Sequence, residues 1–166
     1  LKAQEALRDW LQKGGRWYAL HGTNSVLRLL SDGPDAGLWD APRWAPLHMD
    51  LLGSQFLSHP PIVPYRVTVA DPDHPLVAGI PEFDTEDELY HMELHGKLHV
   101  LLETNCTEPG TGFVEAADAL GTHPVFYLKD HGKGAVLYNT LGHCRGHYDL
   151  QPIMDWWPTV DRCAWD

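Results

Sequence analysis

The chain has 166 residues, 43% of them hydrophobic and 10% aromatic, a composition that fits one globular domain with a sizeable core. Twelve basic against twenty-three acidic side chains give a net charge of −11 with no basic cluster, which argues against nucleic acid and anionic membranes as partners. Cys106, Cys144 and Cys163 are odd in number and lack CxxC spacing, so neither a disulfide framework nor a cysteine zinc site is indicated, and a reducing, cytoplasmic setting is expected.

Residue 1 is Leu, and the chain opens inside a helix pattern. An upstream segment, with any targeting signal it carries, is therefore expected. Residues 2–13 place Ala6, Leu7, Trp10 and Leu11 at helical spacing, and Gly14-Gly15 ends the run. Arg16 to Leu20 reads as a short strand, left at His21-Gly22-Thr23-Asn24. Val26, Leu27, Leu29 and Leu30 then suggest a second helix. Residues 31–44, with Gly, Pro, Asp, Trp39 and Trp44, form a loop. Residues 45–57 read as a helix with Leu47, Leu51, Leu52 and Phe56 inward, stopped by His59-Pro60-Pro61. Tyr65 to Ala70 alternates as a strand, and residues 71–86 are turn-rich. Leu89 to Leu94 and Leu98 to Leu102 form two strands around His95-Gly96-Lys97. Val125 to Leu128 and Ala135 to Asn139 form a hairpin. Helices alternating with strands early and hairpins late predict an α/β sheet with an antiparallel extension.

Five segments in order carry a resemblance: Ala19-Leu20-His21-Gly22; Gly53-x-x-Phe56-x-x-His59-Pro60; Asp71-Pro72-x-His74-Pro75-x-x-x-Gly79-Ile80-Pro81; Asp87-Glu88-Leu89-Tyr90; and Gly132-x-Gly134-x-Val136-x-Tyr138-x-x-Leu141-Gly142-His143. Together, across residues 5–145, they resemble the ThuA (trehalose utilisation) family. The resemblance implies a flavodoxin-like, class I glutamine amidotransferase-like sheet with helices on both faces and antiparallel hairpins toward the carboxyl terminus. It also implies that residues 1–166 are a single but incomplete domain, lacking opening strand–helix units. The turn at His21 would occupy the place of the nucleophile elbow, which in amidotransferases carries Cys. With imidazole there, thiolate attack on glutamine is excluded. The family association is with bacterial carbohydrate utilisation, including keto-sugar pathways.

Imidazoles and carboxylates at loop mouths are the groups used for proton transfer near neutral pH and for binding divalent metals. His21, His59, Glu88 and His143 each lie where an apolar run gives way to a turn, and ligands of open α/β sheets lie beyond the strand ends. These four are the candidate catalytic residues and the candidate ligands of a divalent metal such as zinc; no other cofactor is expected. Each has a plain structural reading as well: His21 as a turn residue capping the next helix, His59 as a helix end, Glu88 as part of the solvated acidic run 84–88. His147 stands four residues beyond His143, but Gly142 and Gly146 disfavour a helix there. Cys144 and His143 would point to opposite faces of an extended chain. His91, His95 and His99 are expected on an exposed hairpin. Asn24 and Tyr90 join the substrate-binding set. Trp39 and Trp44 either stack on a sugar ring or pin their loop to the core or a partner subunit. Trp156-Trp157 fits the core or a subunit interface, the latter implying a homo-oligomer.

The leading expectation is an enzyme acting on a sugar or keto-sugar, of isomerase or hydrolase type and not a glutaminase, by acid–base or metal-assisted chemistry. The rival is a non-catalytic carbohydrate-binding or sensing domain on the same scaffold.

Overall fold

The computed structural model describes residues 2–115 and 121–143. Helix α1 (Lys2–Gln12) leads through a glycine turn into strand β1 (Arg16–Leu20), and a 3-10 turn over His21–Asn24 follows. The helix expected at residues 26–30 is replaced by a two-residue strand β2 (Arg28–Leu29), paired with β3 (Trp39–Asp40). The chain is drawn away from helix here by the Arg28–Asp40 ion pair and by the Leu30 amide donating to the Leu38 carbonyl.

Helix α2 (Pro46–Leu52) starts with Pro at its first turn and stops at Gly53, whose φ of 93° lies in the left-handed region. The expected helix to residue 57 therefore ends early, and Ser54–Ser58 forms strand β4. Phe56 is buried as predicted, but from a strand. Strands β5 (Val63–Val69), β6 (Phe83–Asp87), β7 (His91–Leu94), β8 (His99–Thr104), β9 (His123–His131) and β10 (Gly134–Asn139) complete the described chain. Strand β6 lies at the end of a stretch read as turns. Its Asp84 and Glu86 face out, while partner strand β5 supplies the buried Tyr65 and Val67. Strands β7 and β8 do not pair with each other across His95-Gly96-Lys97. Instead β7 pairs with β4, and β8 lies between β9 and β5.

The main sheet runs β1-β10-β9-β8-β5-β6, with β1 and β10 parallel and every other neighbouring pair antiparallel. Both described helices cover the same face: Leu11 of α1 and Met49, Leu51 and Leu52 of α2 pack with Ala19, Tyr127, Val136 and Tyr138. On α1 the inward residues are Leu7 and Leu11, whereas Ala6 and Trp10 are exposed, contrary to the predicted stripe. Tyr18 and Leu20 stand exposed on the opposite face of β1, so helices on both faces are not seen among the described residues. A second core joins Tyr65, Val67, Val77, Leu89, Leu101, Leu102 and Val125. No described helix is long and apolar enough to cross a membrane.

Candidate functional site

Strand direction explains why residues far apart in sequence meet. Because β1 and β10 are parallel and the remaining pairs antiparallel, β1, β10, β8 and β6 all point the same way. Their carboxyl ends form one rim, from which emerge His21 after β1, Glu88 after β6 and His143 after β10. His59 arrives at this rim from the end of β4.

Glu88 is the common partner. Its Oε2 lies 3.3 Å from His21 Nε2, and its Oε1 lies 3.3 Å from His59 Nε2 and 3.0 Å from His143 Nδ1. The Glu88 side chain is only 14% exposed. Burial pushes its carboxyl up, but hydrogen bonds from His143 and His21 and the nearby His59 outweigh this and hold it at about 2.

The supports are as specific as the cluster. The His21 Nδ1–H donates to the Thr140 carbonyl at 2.7 Å, and the Tyr138 hydroxyl donates to the His21 carbonyl. His21 has a φ of 39°, the only positive value at a non-glycine residue among those described. Backbone strain of this kind persists only where surrounding contacts fix it. Asp87 closes the other side. One of its oxygens accepts from the amides of Glu88 at 2.7 Å and His143 at 3.1 Å, and the other from Gly142 at 2.8 Å. One carboxylate thus ties the end of β6 to the segment that carries His143. Below the cluster, the ring of Tyr90 lies 4.7 Å from His21 and 4.6 Å from Phe56, and Phe113 contacts His59 at 5.1 Å. Burial pushes the Tyr90 phenol up, assisted by Glu88.

The hydrogen bonds fix what the imidazoles offer. A carbonyl can only accept, so Nδ1 of His21 carries a proton. Nδ1 of His59 does the same, donating to the Pro60 carbonyl at 2.6 Å. In the neutral rings both Nε2 lone pairs then face the Glu88 carboxylate, an arrangement relieved by a proton or a cation between them. A carbonyl on the far ring nitrogen is the usual way a metal-binding histidine is oriented. Donor atoms of His21, Glu88 and His143 lie within 4.8 Å of one another. Two ligands about 2.1 Å from a tetrahedral zinc are about 3.4 Å apart; His21 Nε2 comes within 3.3 Å of Glu88 Oε2 and His143 Nδ1 within 3.0 Å of Glu88 Oε1, so the carboxylate meets the two imidazoles with different oxygens. The donor set therefore fits a divalent ion of zinc type. His59 stands outside that group of three, meeting the cluster at Glu88 Oε1.

The other expected site residues are placed differently. Asn24 is fully buried, its amide donating to Ser54 Oγ at 2.8 Å and reaching Met92 Sδ, so it supports the turn and does not line the site. Tyr90 is beneath His21 as described. Trp39 is 41% exposed and bridges to Phe113 through backbone hydrogen bonds around it. Trp44 is 64% exposed with the Arg28 guanidinium 5.5 Å over its ring. His91 is buried on β7, not on an exposed hairpin; His95 pairs with Asp50 and Glu93, and His99 with Asp71. Cys144, His147, Trp156, Trp157 and Cys163 lie outside the described residues. Sequence reasoning missed Asp87 and Phe113. Asp87 was visible only as a neighbour of Glu88, and Phe113 is a lone aromatic in a Gly-Thr-Gly loop with no periodic signal.

The family model for ThuA, described as trehalose utilisation, matches residues 2–156. Among solved structures the chain is similar to a ThuA-like protein from Parabacteroides merdae ATCC 43184, with TM-score 0.60 and 17% identity over 86% of this chain and 55% of that one. A ThuA-like protein from Bacteroides uniformis ATCC 8492 gives TM-score 0.58 and 19% identity over 84% and 54%. The chain thus spans about half the length of these two solved chains. A beta-galactosidase from Rahnella sp. R3 shares the fold over 84% of this chain but only 18% of its own, with TM-score 0.52 and 16% identity. No curated protein matches the sequence.

Proposed function

The chain belongs to the ThuA family of trehalose utilisation, and from that premise we propose that it acts as an enzyme on a sugar or keto-sugar through a divalent ion at Glu88. His21, Glu88 and His143 would hold the ion, and His59 would move the proton. The observation that carries this reading is the orientation of His21: with Nδ1–H donated to the Thr140 carbonyl, Nε2 is the nitrogen turned to Glu88, 3.3 Å from its Oε2, where a proton or a divalent ion can lie between them. A divalent ion, when bound, polarises a sugar carbonyl or acidifies a hydroxyl.

The chain's own residues do the rest. Glu88 stays ionised at any physiological pH and supplies the negative charge of the site. Asp87 keeps His143 against Glu88 by accepting from the backbone amides of Gly142 and His143, and His143 Nδ1 meets Glu88 Oε1 at 3.0 Å. His59 Nε2 is within reach of the cluster and lies beside Phe113, so a proton at a sugar carbon or oxygen placed between them has an acceptor that is also next to an apolar wall. Trp39, whose backbone bridges to Phe113, is 41% exposed, and its flat ring suits the apolar face of a sugar.

The test pairs metal analysis of the purified protein with a screen of keto-glycosides, each run on wild type and His59→Ala. The reading expects one ion per chain in both proteins and turnover in wild type only. Sugar binding without turnover, with or without an ion, would favour a binding domain.

A further inference from the structure

We propose that Ser58 and His91 form a buried positioning pair that aims His59 at Glu88. The inference rests on His59 being the proton-transfer group of the proposed reaction, and concerns how the fold sets its direction.

Strands β4 and β7 pair Ser54 with Leu94, Gln55 with Glu93 and Phe56 with Met92. The next pair is Ser58 with His91. Leu57 is therefore an extra residue in β4, a bulge immediately before His59. Bulges re-aim the side chains that follow them, and they are stable only when something fixes the slipped register. Here the Ser58 hydroxyl meets His91 Nδ1 at 3.3 Å across the strands, both residues being fully buried. Gly110 closes over the pair: a methyl group at that position would run into Ser58 Oγ and come within 3.4 Å of His91 Nδ1. Beyond it, the Thr111 amide donates to the His59 carbonyl at 3.2 Å.

His91 is a costly residue for plain core filling. Its Nε2 is buried without a hydrogen-bond partner, and the ring of His123 lies 4.9 Å away. Burial, with His123 and His59 nearby, pushes its imidazole down to about 4, so it stays neutral in its pocket. An apolar ring would remove the unpartnered nitrogen, but it would leave the buried Ser58 hydroxyl without its His91 partner. What such a ring cannot do is hold Ser58. A substitution that leaves the fold standing and loosens only the neighbouring residue is the signature of a group kept for position.

The experiment measures carbethoxylation of individual histidines by diethyl pyrocarbonate, mapped by peptide mass spectrometry in EDTA so that no ion shields the site. His91→Phe should stay folded, the lost unpartnered nitrogen offsetting the unpaired Ser58 hydroxyl, and increase the reaction rate of His59 by about fivefold, the population change expected from losing one hydrogen bond. His21 and His143 should react as in wild type. Ser58→Ala, which removes only the hydroxyl, should give the same selective change, and Gly110→Ala should reproduce it from the opposite side. An unchanged His59 rate in folded His91→Phe and Ser58→Ala, or a parallel rise at His21 and His143, would overturn the proposal. The readout needs neither metal nor turnover, so it separates this inference from the reading of the reaction: selective loosening of His59 in a protein without turnover would leave the pair standing and remove the enzyme.

Discussion

Two regions of the molecule are built from the same residue types in opposite proportions. At the rim, three imidazoles surround one buried carboxylate, Glu88. Around β4 and β7, one imidazole, His95, lies between two exposed carboxylates, Asp50 at 3.0 Å and Glu93 at 3.2 Å, and Arg43 joins Glu93 to Glu115. In the second region each charge has a counter-charge and water completes the solvation, so the network is a solvated ion-pair surface. Glu93 is held below the usual carboxylate range mainly by Arg43, without any need for a further ion. In the first region nitrogen outnumbers oxygen, two of the rings have their far nitrogens tied to carbonyls, and solvent is largely excluded. Histidine count therefore says little; the ratio of imidazole to carboxylate and the direction of each lone pair separate a site from a surface.

The sharpest way to break the comparison is to remove the central carboxylate. Glu88→Gln should abolish binding of a divalent ion and, where turnover is found, lower it by roughly 10²–10⁴, as loss of an essential charge or proton-transfer partner does. Equilibrium binding of zinc to both proteins checks this. Asp87→Asn should be milder. It keeps every metal-facing atom but weakens the clamp on Gly142 and His143, so ion affinity should fall about 10–100-fold, measured in the same titration.

Acid separates the regions as well. Glu88 titrates lower in the fold than its ordinary value of 4.5, at about 2, so the fold favours its ionised form. Its contribution to stability is therefore whole above about pH 4.5 and is lost as the pH falls toward 2. The stability difference between wild type and Glu88→Gln should shrink over that window, as read by thermal melts at stepped pH.

His21→Gly tests the strain. Glycine takes a φ of 39° freely, so the variant should be as stable as wild type or more stable by up to about 1 kcal/mol, while binding the ion less tightly. A Tm well below wild type would mean that the imidazole contacts, and not the backbone, hold the turn. At the other extreme, His95→Ala should change stability by less than about 0.5 kcal/mol and leave ion binding untouched, since its partners remain solvated and Arg43 still neutralises Glu93.

Much of this rim was legible in the sequence because its elements are punctuated. The parallel pairing of β1 with β10 joins strands far apart in the chain and has no local signal, but Gly14-Gly15 before β1 and the turn between β9 and β10 fix where strands begin. That punctuation alone places His21 and His143 at strand ends. The switch at Gly53 was not legible: Leu47, Leu51, Leu52 and Phe56 keep a helical spacing across it, so the apolar pattern does not show that the period changes to alternating after Leu52. Strand β6 was hidden for the opposite reason. As an edge strand it carries Asp84, Glu86 and Asp87, charges that read as a turn but protect an edge from pairing. Glu88 was found beside an assumed strand at Leu89, although the strand that positions it ends at Asp87. The clamp made by Asp87 on residues 142 and 143, and the bulge at Leu57, are tertiary facts with no local pattern at all.

X-ray absorption at the zinc edge, on protein loaded with one equivalent of zinc, sees the ligands themselves. The spectrum should show one ion per chain with a nitrogen and oxygen shell at about 2.0–2.2 Å, outer scattering from two imidazoles and no sulfur, all lost in Glu88→Gln. Failure of the wild type to retain zinc, an unaltered spectrum in Glu88→Gln, or a sulfur shell would contradict a divalent ion at Glu88.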